Sequence, residues 1–196
     1  MNMVIKNEQI LDAAAAVLSK RPDATLQSIA MEAGVSRTTI FNKFPTRDAL
    51  LEALGKDTLL RIGDAMSRVP GGQPDDLVAV MFDVTRGLMS LGPRTIFLRL
   101  VLDQGADFDS QWEQAVRPLA TYIGTAQALG RLRVDQPARW LVVSYIGLLF
   151  AAWDEIAAEE MGSAQAARLI VQTWLAGAGH VTPVSIAEAP LLSSGL

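Results

Sequence analysis

The stretch "AMEAGVSRTTIFNKF" at residues 30–44 decides the fold. It places a small residue, Ala30, four positions before Gly34, and a serine and a polar segment of helical spacing follow the glycine. Glycine readily adopts the left-handed backbone conformation with which many helices end, and Ser36 is a favourable N-cap for a second helix. The stretch therefore predicts two short helices, over about 26–33 and 37–43, joined by a tight turn.

The second short helix has an apolar side and a polar side. Ile40 and Phe44 have the spacing to pack, with Ile29, Ala33 and Val35, against a helix predicted over 7–20. The polar side carries short donors and acceptors and two cations, namely Arg37, Thr38, Thr39, Asn42 and Lys43. Such groups suit the base edges and phosphates of DNA. A helix–glycine–helix corner also occurs in helical proteins that bind no DNA, so the turn alone leaves a purely structural role open.

Helical spacing continues through the rest of the chain, and no strand stands out. Further helices are predicted over about 47–68, 76–91, 94–104, 110–129, 137–160 and 163–178. The Pro- and Gly-rich segment "VPGGQPDD" at 69–76 marks the end of one unit. The tail 180–196 contains two prolines and no sustained period, so we expect it to be loosely packed.

Composition excludes several classes of site. The 196-residue chain has a net charge of −4, no cysteine and one histidine, so disulfides, thiolate nucleophiles and multi-histidine metal sites are excluded. The acidic run "DEIAAEE" at 154–160 lacks histidine partners and indicates the solvated end of a helix. We therefore expect no enzyme, no cofactor and no metal. The apolar run 140–153 is shorter than the ~20 residues that span a bilayer, and no signal peptide is evident, so a soluble cytoplasmic protein is expected.

Residues 10–54 resemble the N-terminal domain of the TetR family of bacterial transcriptional repressors. The matching segments are "ILDAAAAVL", Thr25, "IAMEAGVS", the run from Thr39 to Phe44, and "TRDALLEAL". The resemblance implies an all-α fold in which three N-terminal helices bind DNA, a fourth connects, and the remaining helices sense a ligand and dimerise. The implied domains are 1–46, the connecting helix 47–70, the ligand-sensing and dimerisation domain 71–179, and a flexible tail 180–196.

Carried over by position, the resemblance also implies DNA-binding residues. Thr25 and Arg47 would hold phosphates, Ser36 would cap the recognition helix, and the polar side of that helix would face the major groove. The complete set is Thr25, Ser36, Arg37, Thr38, Thr39, Phe41, Asn42, Lys43 and Arg47. Three positions depart from the family pattern. Thr38 stands where glycine is frequent, Phe41 where tyrosine is usual, and Lys43 where histidine is common.

The C-terminal two-thirds predicts a dimer interface and a ligand pocket. The helix 137–160 is apolar on nearly every side and needs cover all round, so we interpret it, with 163–178, as half of a four-helix dimer interface. Polar groups within apolar segments suggest a pocket lined by Phe82, Arg86, Phe97, Trp112, Tyr122 and Tyr145. A surface ion pair between Asp83 and Arg86 explains those two residues equally well.

The predicted function is that of a ligand-responsive transcriptional regulator. A homodimer, most simply a repressor, would bind a pseudopalindromic operator in double-stranded DNA, and an apolar or aromatic small molecule of unknown identity would release it. The alternative is a helical dimeric adaptor that binds protein rather than DNA.

Overall fold

The computed structural model describes residues 2–69, 76–103 and 108–179. In these residues the chain forms helices and one isolated β-bridge, between Leu132 and Gly179, with no strand. The helices are α1 (Asn2–Leu18), α2 (Leu26–Glu32), α3 (Arg37–Lys43), α4 (Arg47–Met66), α5 (Leu77–Met89), α6 (Pro93–Asp103), α7 (Asp109–Ala128), α8 (Ala138–Ala157) and α9 (Ser163–Ala178). The predicted all-α fold is confirmed. The tail predicted over 180–196, and residues 70–75 of the punctuating segment, lie outside the described residues.

The helices occur in the predicted order, and their ends differ from the prediction by a few residues. The largest differences are at α1, which begins at Asn2 rather than at residue 7, and at the end of α8, which was expected at 160. Glu159 takes a positive φ of 62°. The next amide, that of Glu160, donates to the carbonyl of Glu155 at 3.0 Å. This left-handed cap stops the helix at Ala157 although the acidic residues beyond it have no helix-breaking side chain.

The chain divides into two compact units. The first unit contains the described residues up to Asp64 together with 91–115, and the second contains 65–90 and the described residues from 116 onward. The chain passes between the units at three points, of which two fall within helices, α4 and α7, and the third lies between α5 and α6. This division by contacts differs from the functional division at residues 46 and 70, which stays a prediction.

The core of the first unit lies where α1 packs on α2 and α6, and where α2 packs on α3. Ile10, Ile29, Ile40 and Leu50 are completely buried there. Gly55, in the middle of α4, allows the ring of Phe108 to approach, since an added Cβ would lie 2.4 Å from the Phe108 Cζ atom. A larger residue at 55 would therefore displace a buried aromatic ring.

Five charged side chains link α1, α4 and α6 within the first unit. Arg94, whose side chain is only 5% exposed, donates to Asp12 at 2.7 Å and also to Asp57. Arg61 joins Asp57 at 2.9 Å to Glu8 at 2.7 Å. The hydrogen bond with Glu8, and then that with Asp57, raises the pKa of Arg61. We call these five residues the ion-pair network.

The second unit is built around α5, α8 and α9, which pack on one another. The indole nitrogen of Trp174 donates to the carbonyl of Leu141 at 2.9 Å, and its ring meets that of Tyr145 edge to face at a centroid distance of 5.7 Å. Thr85 donates to the carbonyl of Met81 at 2.6 Å, so it accepts from the Tyr145 hydroxyl at 2.8 Å. These contacts fix α5 and α9 to one side of α8.

The other side of α8 carries apolar residues that the chain leaves exposed. Trp140 is 58% and Val143 is 52% exposed, and Gly147 and Ala151 continue the same side at helical spacing. Among the described residues α8 is the one helix long and apolar enough to cross a membrane, and a third of its most apolar stretch is buried. Such length and composition also occur in the core helices of water-soluble proteins, so this property alone is weak evidence for a membrane span.

Candidate nucleic-acid interface

The turn between α2 and α3 has the geometry that its sequence predicts. Gly34 has a φ of 63°. Its amide donates to the carbonyl of Met31 at 3.1 Å, and the amide of Val35 donates to that of Ala30 at 3.0 Å. This pair of bonds is a Schellman motif, which satisfies carbonyls at the end of α2. From α1, the Gln9 side chain adds a hydrogen bond of 2.9 Å to the Ala33 carbonyl.

Both short helices are capped by the predicted hydroxyl side chains. Thr25 Oγ1 accepts from the amide of Ser28 at 3.2 Å, and Ser36 Oγ accepts from the amide of Thr39 at 3.1 Å. The Thr39 hydroxyl lies 2.8 Å from that of Ser36. Thr39 therefore takes part in the N-terminal cap of α3, and it also lies beside the polar side of that helix.

One side of α3 is buried and the opposite side is presented to solvent. Ile40 is fully buried and, with Phe44, anchors the helix to the first unit. Arg37, Thr38, Phe41 and Asn42 are exposed, whereas Thr39 and Lys43 are half-buried at the margin. We call the four exposed residues the reading face. Val35, predicted to lie in the core, is only half-buried, because it follows the turn glycine directly.

Arg37 and Phe41 interact on the reading face. The guanidinium carbon of Arg37 lies over the Phe41 ring, 5.2 Å from its centroid. The two residues are four apart, so successive turns of α3 bring them together. A cation over an aromatic face is attracted by the ring quadrupole. Phe41 is 37% exposed, which is notable for a phenylalanine on a polar surface.

Two cations of the predicted DNA-binding set make hydrogen bonds inside the first unit. The Lys43 ammonium group donates to the side-chain oxygen of Asn7 on α1. The Arg47 guanidinium donates to the carbonyls of Pro22 and Ala24, in the loop that leads to Thr25. Thr25 and Arg47, predicted to hold phosphates, therefore lie at the same corner of the unit. Arg47 also ties α4 to the loop before α2.

The predicted ligand-binding residues are distributed over both units. Phe82, Arg86, Tyr122 and Tyr145 belong to the second unit, and Phe97 and Trp112 belong to the first. Arg86 is paired with Asp83 at 2.7 Å, with both side chains more than half exposed. The surface ion pair that the sequence left open is therefore present.

Among the described residues of the second unit, two buried polar atoms lack a hydrogen-bond partner, the Tyr122 hydroxyl and the Trp153 indole nitrogen. Tyr122 is 3% exposed, and burial, followed by the nearby charge of Asp76, raises its pKa to about 12. Tyr145 is also buried, and burial raises its pKa despite the hydrogen bond with Thr85. An unsatisfied buried polar group is uncommon and calls for an explanation. Trp153 was not predicted as a site residue, since an indole at the end of an apolar run indicates only core packing.

Asn7 and Gln9 are positioning residues that the sequence did not indicate. Their partners, Lys43 and Ala33, lie 36 and 24 residues away. Sequence spacing on one helix says nothing about contacts at such separations. The sequence offers one signal for these two roles. Asn7 and Gln9 are polar residues in the helical turn just before Ile10, where the apolar side of α1 begins.

Comparisons with known proteins agree with this geometry. Residues 10–54 match the family model "Bacterial regulatory proteins, tetR family". The transcriptional regulator NfxB of Pseudomonas aeruginosa is 25% identical over 189 residues, covering 92% of this chain and 98% of NfxB. The transcriptional repressor LfrR of Mycolicibacterium smegmatis is 38% identical over 90 residues, or 45% of this chain and 47% of LfrR.

Solved structures show the same fold. The crystal structure of LfrR in complex with proflavine superposes with a TM-score of 0.70 at 25% identity, covering 88% of this chain and 95% of that one. A TetR-like regulator from Rhodococcus superposes with a TM-score of 0.67 at 20% identity, over 90% of this chain and 97% of that one. The relatives named here are transcriptional regulators and not enzymes. Residues 10–54, which contain the capped helix–turn–helix unit, thus match the DNA-binding domain of the TetR family of bacterial transcriptional regulators, and the fold of the chain is that of these regulators.

Proposed function

We propose that this protein is a cytoplasmic repressor that binds a pseudopalindromic operator as a homodimer and is released by a small molecule. The observation that carries the DNA-binding part is the reading face. A short helix, buried on one side and capped at its start, presents a guanidinium, a hydroxyl, an aromatic ring and an amide to solvent. These groups match the chemistry of the major groove better than they match any other common partner.

Dimerisation follows from the limited reach of one such helix. A seven-residue helix can contact only a few base pairs, so a single copy would bind weakly and with little selectivity. Two copies related by a two-fold axis would place their α3 helices in successive major grooves, about 34 Å apart. The operator would then have matching half-sites.

The exposed side of α8 supplies a surface for that dimer. Its apolar residues would cost free energy if they stayed in water, and they are continuous along the helix. Leu169 of α9 is also 42% exposed, and the exposed residues Ala176 and Gly177 are small enough to allow close approach. We propose that α8 and α9, the helices predicted over 137–160 and 163–178, pack against the same helices of a second copy.

The effector site is proposed in the second unit, at the unpartnered hydroxyl of Tyr122. A buried hydroxyl without a hydrogen bond in the protein costs free energy that a bound molecule could recover. Like any tyrosine hydroxyl it is neutral and able to donate at neutral pH, and burial raises its pKa further, to about 12. The helices of the second unit are rich in apolar and aromatic residues, which favours an apolar or aromatic ligand. The LfrR structure contains proflavine, an aromatic compound, and proflavine is therefore a suitable first probe.

Release would work by a shift between two forms of the dimer. The effector can lower operator affinity only if it binds more tightly to a form whose α3 helices are wrongly placed for the half-sites. In this proposal α4, which follows the DNA-binding helices, transmits the change.

A mobility-shift titration tests this function. The probe is a duplex containing the DNA that flanks the protein's own gene, titrated with and without proflavine. We expect a discrete complex that weakens as salt rises, and that proflavine dissociates. Tyr122→Phe should bind the duplex normally but need more proflavine for release. Absence of any salt-dependent complex would favour the protein-binding adaptor, and a complex unchanged at saturating proflavine would remove that compound as an effector.

A further inference from the structure

We propose that Arg37 reads a guanine in each half of the operator, and that Phe41 positions its guanidinium for that contact. The proposal rests on the proposed DNA-binding function and adds to it a base identity and a residue pair. No base preference follows from the family match or from the relatives' names.

The three cations of the predicted set differ in the groups that they contact. Lys43 donates to Asn7, and Arg47 donates to two backbone carbonyls. For Arg37, no hydrogen bond or ion pair is found in the part of the chain that the structure describes. Its five N–H groups are therefore available, in the planar fork that matches two acceptors at once.

The contact that the structure describes for Arg37 is with an aromatic ring. The Phe41 ring attracts the guanidinium through its face but accepts no conventional hydrogen bond. A carboxylate in the same place would use up two N–H donors and cancel the charge. An aromatic ring instead restricts the side chain and leaves its donors free, which lowers the entropy lost when Arg37 binds. This role also accounts for a phenylalanine that remains 37% exposed on a polar face.

The position of Arg37 along α3 also favours a base contact. Arg37 is the first residue of α3, and the N-terminal residues of a recognition helix are the ones that contact base edges. Guanine presents O6 and N7 as paired acceptors in the major groove, and a bidentate arginine is their commonest partner. Phosphate contacts are better served by Lys43, at the margin of the face, and by Arg47, at the corner with Thr25, because both are held to the body of the unit.

The test is selection of binding sites from a library of randomised duplexes, performed with the full-length chain. Wild type should enrich a two-fold site with one strongly preferred guanine in each half. Arg37→Gln should lose that guanine and prefer adenine at the same position, since glutamine pairs with adenine N6 and N7. For wild type, replacing the guanine should weaken binding by roughly 10- to 100-fold.

Phe41 is tested by matched variants. Phe41→Leu removes the ring and should keep the same preferred guanine, but discriminate against adenine several-fold less than wild type. Phe41→Tyr keeps the ring and should restore discrimination. Thermal melting of each variant, followed by circular dichroism, shows that α3 is still folded, because both residues are exposed. Equal discrimination by the leucine and wild-type proteins would overturn the positioning role.

The failures of the two proposals are distinguishable. If wild type enriches no sequence at all, the proposed operator-binding function fails. If wild type enriches a two-fold site and Arg37→Gln selects the same base at every position, the function stands and Arg37 is not the guanine reader.

Discussion

Lys43 sits at the margin of the reading face, and its ammonium group is held by Asn7 of α1. We expect Lys43→Ala to weaken binding to all duplexes alike, and to reduce the slope of log affinity against log salt by about 1, as the loss of one phosphate contact would. Anisotropy titrations over a salt series measure both quantities.

Asn7→Ala is the matched control, because it removes the partner but keeps the charge. It should leave the salt slope unchanged. A Lys43→Ala protein that loses affinity only for duplexes with one particular base pair would show that Lys43 reads a base instead.

Both tyrosines of the chain are buried in the second unit, and burial raises the pKa of each, that of Tyr122 to about 12. In the unfolded chain a tyrosine ionises near pH 10. Between these values the unfolded state has released protons that the folded state retains, so stability is complete below pH 10 and is lost as pH rises toward 12.

An alkaline titration of near-ultraviolet phenolate absorbance, with circular dichroism in parallel, tests this expectation. No phenolate should form at pH 10 while the helices persist, and its appearance should coincide with unfolding. Tyr122→Phe should leave a single ionisation and a weaker pH dependence of stability. Ionisation of half the tyrosine at pH 10 in a fully helical protein would contradict the burial of Tyr122.

At the residue scale the sequence predicts features that depend on one residue and its immediate neighbours along the chain. Thr25 and Ser36 as caps, and Gly34 as the turn residue, follow from the preferences of each residue type for particular backbone positions. The bonds from Gln9 and Lys43 join residues more than 20 positions apart, and they depend on how whole helices pack. Periodicity carries no information about such pairs.

At the scale of elements, the ion-pair network is the feature with the clearest energetic consequence. Arg94 lies in the first turn of α6 and bonds to Asp12 of α1 and Asp57 of α4. Its guanidinium is nearly completely buried, whereas Asp12 is largely exposed and can be hydrated if it loses its partner. The network therefore fixes three helices of the first unit through one buried cation.

Arg94→Met should lower the free energy of unfolding by about 2 kcal/mol, less than the ~3–5 kcal/mol typical when one member of a fully buried pair is removed. Arg86→Met is the matched control. It breaks a pair exposed on both sides, so the cost should stay below about 1 kcal/mol. Urea unfolding of both variants measures the difference. Equal costs would mean that burial of Arg94 contributes nothing.

Apolar periodicity predicted every helix of the described residues because each amphipathic stripe repeats with the helical period. It did not predict that α6 belongs with α1 to the first unit, since the deciding contact is a buried arginine in a segment whose pattern indicates only an apolar helix. The early end of α8 was missed for a similar reason. Its stop is a backbone conformation at Glu159, not a residue type that favours one.

At the scale of the whole molecule, the proposed dimer depends on the exposed side of α8. Val143→Glu places a charge in the middle of the proposed dimer interface, where it could be neither hydrated nor paired. We expect a monomer by sedimentation equilibrium and loss of operator binding, with helical content unchanged. Val134→Glu is the matched control, because Val134 is 72% exposed in the segment before α8. This control should remain dimeric, and a dimeric Val143→Glu protein would exclude α8 as the interface.

The sequence predicted that α8 needs cover, and the structure shows that the chain itself covers one side of that helix. Helical periodicity shows that the exposed side of α8 needs a partner, but it does not show which surface of which chain packs there. The operator and the effector are likewise set by partners. The residues of this chain that would contact the operator and the effector can be inferred from the sequence. The base sequence of the operator and the chemical identity of the effector cannot.

Hydroxyl-radical footprinting on a duplex carrying the selected operator tests the central claim most directly, that two α3 helices enter successive major grooves of one DNA. We expect two protected segments on the same face of the duplex, with centres about 10 base pairs apart, and loss of both segments together in Val143→Glu. A single protected segment, or protection that survives in the monomeric variant, would contradict it.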